Sequence, residues 1–157
     1  MQDVNPKTTM RIAGHPIHPM LIPFPIAFFV GTLAVDIAFG QTGDAFWATA
    51  GRWLLGAGLL MAALAALAGL TDFLGDQRIR KLSSAWHHMI GNVTVVVIEL
   101  VNLWQRLAAG NDFILPTGLL LSAVAVLLLL YNGWRGWEMV YRHRVGVMPE
   151  SADAPYR

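Results

Sequence analysis

Residues 20–39, MLIPFPIAFFVGTLAVDIAF, run for twenty positions with one charged side chain, Asp36. A helix rises about 1.5 Å per residue and the hydrocarbon layer of a bilayer is about 30 Å thick, so this length suits one crossing. The stretch predicts a transmembrane helix. An apolar run behind two basic residues, Lys7 and Arg11, also suggests a secretory signal. A signal's apolar region is usually about 7 to 15 residues and ends at a small-residue cleavage site. This run is longer and carries Asp36 late, which favours the span.

Working outward, three further apolar stretches follow, at about 50–70, 87–107 and 113–134. The breaks between them are Gly40-Gln41-Thr42-Gly43-Asp44, the charged segment 71–82 with Asp72, Asp76, Arg78, Arg80 and Lys81, and Gly110-Asn111-Asp112. Ser83 and Ser84 suit the cap of the third helix. Of 157 residues, 55% are apolar and 13% charged, against about 25% charged in soluble domains. The fold class is therefore all-α: an integral, multi-pass four-helix bundle of up-down topology. The chain divides into a polar N-terminal segment 1–13, the membrane domain 14–144 and a mobile tail 145–157.

A net charge of +1 with scattered basic residues argues against nucleic acid as a partner. The absence of cysteine excludes disulfides, thiolate zinc sites, iron–sulfur clusters and covalently attached haem. No soluble-enzyme signature is visible, so no catalytic residue is assigned. Short cytoplasmic segments are enriched in Lys and Arg. Nine basic residues fall in the N-terminal segment, the middle loop and the C-terminal segment, and two, Arg52 and Arg106, on the other side. Both termini are expected in the cytoplasm.

The second span carries Gly58, Ala62 and Ala66, then Ala65 and Gly69, at four-residue spacing, a pattern that lets helices approach closely in lipid. The fourth is nearly all leucine around Ser122 and suits a wall facing lipid or a partner.

Four of the five histidines, His15, His18, His87 and His88, stand at the starts of the first and third spans. In an up-down bundle those starts lie at the same end. A helical turn would place His15 and His18 within about 60° of one face, whereas His87 and His88 differ by about 100°. His88 is the better inward candidate, because Asn92 lies one turn deeper on its face. Pro16 and Pro19 fit a first turn, while Pro23 and Pro25 are expected to kink or delay the regular helix. Neutral imidazole is the metal-binding form and is favoured at a helix N-terminus.

Two helices offering imidazoles across a gap point to haem b, with Arg11, Arg78, Arg80 and Lys81 near enough in sequence to pair with its propionates. Met20 and Met89 are weaker axial candidates. A zinc, iron or copper ion, a proton-sensing role, and no cofactor at all, with histidines that cap helices, remain as alternatives. His143 reads as solvated. Asp72 is a candidate orienter of an imidazole N–H, or an ordinary turn residue.

Asp36 and Glu99 lie about 24 and 20 Å along their helices from the histidine end, with Asn102 and Arg52 nearby. Carboxylates at that depth pair, reach water or hold a proton. An interhelical pair with Arg52 or Arg106 is the plain reading; a quinol or proton site is the sharper one.

The segments 14–26, from Gly14-His15-Pro16-Ile17-His18-Pro19 to Ile26, then Gly69-Leu70-Thr71-Asp72, then His88-Met89-Ile90-Gly91-Asn92, resemble in order the bacterial four-helix membrane family called domain of unknown function 2231. The resemblance covers about residues 10 to 135 and implies a bacterial inner (cytoplasmic) membrane location. Members are sometimes joined to Rieske-type iron–sulfur modules, which implies redox partnership; this cysteine-free chain carries no such module. His15, His18, Asp72, His88 and Asn92 carry over as motif positions without assigned roles.

The expected function is a b-type haem electron-transfer protein or accessory subunit of a membrane redox complex, not an independent enzyme. Expected partners are the lipid bilayer, further copies of the chain or a larger complex, and quinone. The alternatives are a cofactor-free structural or assembly subunit and a non-haem metal protein.

Overall fold

A computed structural model describes residues 5–147. Among them a two-residue hairpin, β1 (Arg11–Ile12) and β2 (His15–Pro16), leads into α1 (Ile17–Leu21) and α2 (Pro23–Thr42). Then follow α3 (Ala45–Gly75), the short α4 (Gln77–Arg80), α5 (Ser83–Ala109) and α6 (Leu119–Trp137), extended by a turn over Glu138–Arg142. Residues 148–157, most of the expected mobile tail, lie outside the described residues.

The chain is mostly helical, and three continuous helical stretches are long and apolar enough to cross a membrane: Ile17–Thr42, Ala45–Gly75 and Ser83–Arg142. The third folds back on itself. Asn102 bonds Ser122 and Asn132 bonds Asn92, so α5 and α6 run antiparallel. The reversal is local in origin. Gly110, at φ 72, ends α5, and Leu115 is extended, as suits a residue before proline.

Several boundaries move from the sequence expectation. Pro23 opens α2 as its first residue, where its missing N–H costs nothing, so the break sits between α1 and α2. The charged segment after the second span is not a loop: α3 continues to Gly75 and buries Asp72. Leu82, not a serine, precedes α5 and gives no side-chain cap, while Asp44 caps α3 by accepting from the Phe46 N–H at 2.8 Å.

The small-residue face of α3 packs on α2. A Cβ on Gly58 would stand 2.6 Å from the Phe29 ring, so the glycine permits that approach. Phe29, Leu55, Ala62, Val95 and Ala125 form a core to which α2, α3, α5 and α6 all contribute.

The outer surface is apolar instead of charged. Along α5, Ile90, Val93, Val97, Leu100, Trp104 and Leu107 are exposed. His88, Asn92, Val95, Glu99, Asn102 and Arg106, spaced four and three residues apart, face inward, half-buried at the histidine end and fully buried toward Arg106. In water this inverted amphipathicity would expose apolar area and bury polar groups, both unfavourable. In lipid the first cost falls away, because the solvent is hydrocarbon, and the second is reduced where the inward polar groups bond one another, as Asn102, Arg106, Asp36 and Ser122 do.

Candidate cofactor site at the histidine end

Of the four histidines, the fold brings two together. His18 on α1 and His88 on α5 meet edge to face, with ring centres 6.1 Å apart and planes at 86°. Each is held by a main-chain carbonyl: His18 Nδ1–H donates to Ala65 at 2.8 Å, and His88 Nδ1–H to Asn132 at 3.0 Å. A carbonyl only accepts, so both rings carry hydrogen on Nδ1, which in the neutral ring leaves the lone pair on Nε2.

Glycines make room for the rings. A Cβ on Gly69 would lie 2.9 Å from His18 Nδ1, and one on Gly136 would lie 3.3 Å from His88 Cε1. Asn92 Nδ2–H donates to the His88 carbonyl at 2.8 Å, one turn deeper. Asn132 lies so close over α5 that a Cβ on Gly91 would collide with its side-chain amide.

His15 and His87 are exposed. The first is in extended β2, its Nδ1–H donating to Ala13 at 3.0 Å, so the expected helical turn linking it to His18 does not form. Gly14, at φ 82, turns the hairpin there instead. Met20 faces outward and Met89 packs against the Phe73, Ile79 and Ala85 cluster.

Three of the basic residues near this end, Arg11, Arg78 and Arg80, are engaged locally. Arg11 Nε donates to Thr8 Oγ1 at 2.9 Å, Arg78 pairs with Asp76 at 2.7 Å, and Arg80 donates to the Leu74 carbonyl at 2.6 Å. Asp72 Oδ1 accepts the N–H groups of Thr9 and Met10 at 2.6 and 2.8 Å, while the imidazoles donate to main-chain carbonyls. Asp72 thus moors the N-terminal segment to α3. Asp76 joins it by accepting from the Lys7 N–H at 3.0 Å. Hydrogen bonding from the Arg78 side chain holds the Asp76 carboxyl well below the usual carboxylate range, against a smaller opposing effect of burial.

At the opposite end Asp36 is clamped by Arg106, whose two terminal nitrogens donate to its two oxygens at 2.7 and 2.6 Å, with Ser122 adding a bond at 2.8 Å. Arg106 Nε donates to Asn102 Oδ1 at 2.9 Å, and Asn102 Nδ2 donates to Glu99 Oε2 at 2.9 Å. Arg52 is elsewhere, bonded to Asn111 and Thr49. Arg106 is the partner because its α5 face meets Gly51, where a Cβ would fall 2.9 Å from its guanidinium.

The sequence reading passed over Asn132 and Gly136, and took Gly69 only as part of the small-residue pattern and the family motif. Asn132 was the one with a signal, as an amide ending a leucine-rich run; a main-chain acceptor such as Ala65 leaves none.

Among the described residues no group of three His, Cys, Asp or Glu is placed to hold a metal ion. The model of a family described as a predicted membrane protein, domain of unknown function 2231, matches residues 14–149, and the chain belongs to that family. No curated protein and no solved structure matches it.

Proposed function

We propose that this member of a membrane family crosses the bacterial inner membrane four times, with both termini cytoplasmic, and binds a b-type haem through His18 and His88, passing electrons as a subunit or partner of a redox complex. One observation carries the reading: two imidazoles from distant parts of the chain meet with their Nδ1 hydrogens committed to carbonyls and their Nε2 lone pairs left over. The donor set fits the group. A zinc-type site draws three or four ligands from the protein, whereas haem iron, with four nitrogens of its own, would need only one or two from the chain, which His18 and His88 could supply.

When bound, haem supplies one-electron redox chemistry. The chain's part is to fix both tautomers and hold the rings at one end of the bundle. The basic-residue asymmetry supports the orientation, and the inverted α5 supports the embedding.

The test is an absorption spectrum of the protein in mild detergent, as purified and after titration with haemin. A Soret band that shifts on reduction is expected, lost in His18→Ala and His88→Ala and kept in His15→Ala and His87→Ala. A colourless protein that stays so with haemin overturns the proposal. Stoichiometric metal in that preparation then supports an ion site; no metal supports a structural subunit. In the same membranes single cysteines at Lys7→Cys and Arg52→Cys, in a chain without its own, should label from opposite sides; labelling from one side overturns the orientation.

A further inference from the structure

Beyond the histidine end, the buried network at the far end does not balance in charge or in hydrogen bonds. It contains two carboxyl groups, Asp36 and Glu99, and one cation, Arg106, all at most 1% exposed. Asp36 is fully matched: a bidentate guanidinium and a hydroxyl occupy its oxygens. Glu99 is not. Its Oε2 accepts from Asn102, but its buried Oε1 has no hydrogen-bond partner. A second buried anion without a cation of its own would cost several kcal/mol, whereas a neutral acid costs less, about 1–3 kcal/mol for the oxygen left unpaired.

We propose that Glu99 is a proton-binding site: its carboxyl holds a titratable proton inside the bundle, with Asp36 as the permanent anion paired to Arg106. The surroundings fit both states. Asp36 on α2 opposes ionisation; Arg106 on the next turns of α5 and the Asn102 amide favour it. From α6 the polar group facing the cluster is the neutral Ser122, and from α3 the cluster is met by Gly51. The site lies about 16 Å along α5 from His88, and it stands or falls independently of haem.

Infrared spectroscopy of the wild-type protein at neutral pH tests it. A protonated carboxyl has a carbonyl stretch above the amide band that shifts in D2O. One such band per chain is expected. It should shift in protein grown with carbon-13 glutamate, stay put with carbon-13 aspartate, disappear in Glu99→Gln, and fade reversibly as pH is raised. Absence of the band, its survival in Glu99→Gln, a shift with labelled aspartate, or invariance up to the alkaline limit of the folded protein each overturns the proposal. The isotope arms use the unsubstituted chain, so a variant that fails to fold leaves the test intact.

Discussion

Removing the cation of the far-end network by Arg106→Gln is the perturbation with the most calculable cost. Asp36 then keeps Ser122 but loses two charge-assisted bonds of 2.7 and 2.6 Å in a site without solvent. At about 1.5–3 kcal/mol for each bond to a charged group, the loss is about 3–6 kcal/mol. Stranding one partner of a buried ion pair is measured independently at about 3–5 kcal/mol. The two figures agree, so Arg106→Gln and Asp36→Asn should each destabilise the bundle by about 3–5 kcal/mol. The double variant leaves no charge stranded and should return to within about 2 kcal/mol of the parent, since replacing both partners of a buried pair is often close to neutral. Equilibrium unfolding in one detergent, followed by far-ultraviolet circular dichroism, gives the four corners of the cycle. Single variants costing under about 1 kcal/mol, or a double variant costing the sum of the singles, would refute the reasoning.

Gly69→Ala should disturb the histidine end without removing a histidine, because its methyl group meets His18 at 2.9 Å beside the Ala65 carbonyl bond. Haemin affinity should fall at least tenfold while the helical circular dichroism is kept; unchanged affinity would dissociate the ring's seat from binding. Asp76 predicts an acid response. Its carboxyl is held below its ordinary range, so its contribution to folding is complete above about pH 4, the unfolded value, and is lost as pH falls through the lower folded value. Hydrogen exchange at the Lys7 amide, which Asp76 accepts, should stay protected at pH 5 and weaken only in stronger acid. Loss of protection between pH 7 and 5 would contradict that ordering.

How much of this was legible depended on whether the signal was periodic. The four apolar stretches were, because crossing length and helical rise leave few alternatives, and the α3 glycines and alanines announced a close approach. The α5 seam was also written in the spacing of His88, Asn92, Glu99, Asn102 and Arg106. The 100° step between neighbours allowed only one of His87 and His88 to face inward, and Asn92 one turn deeper on its face pointed to His88. His15 misled because adjacent prolines were read as a helical first turn, while Ala13 and Gly14, both at positive φ, turn the chain into a hairpin first. The choice between Arg52 and Arg106 could not be read from depth alone; it depended on which face of α3 carried Gly51. Asp72 bonds to main-chain N–H groups of a polar segment, and such partners leave no residue-type signature.

The N-terminal segment has one more implication, for the order of biogenesis. It is tied at one side to Asp72 and Asp76, and at the other to the last described residues: Asn5 Nδ2–H donates to the Val147 carbonyl at 3.0 Å, and the Gly146 N–H donates to the Pro6 carbonyl at 2.9 Å. During synthesis Asn5 and Pro6 therefore wait for Gly146 and Val147 before their ties are complete. Helix insertion can proceed span by span, but this clasp over the histidine end closes only when translation has reached residue 147.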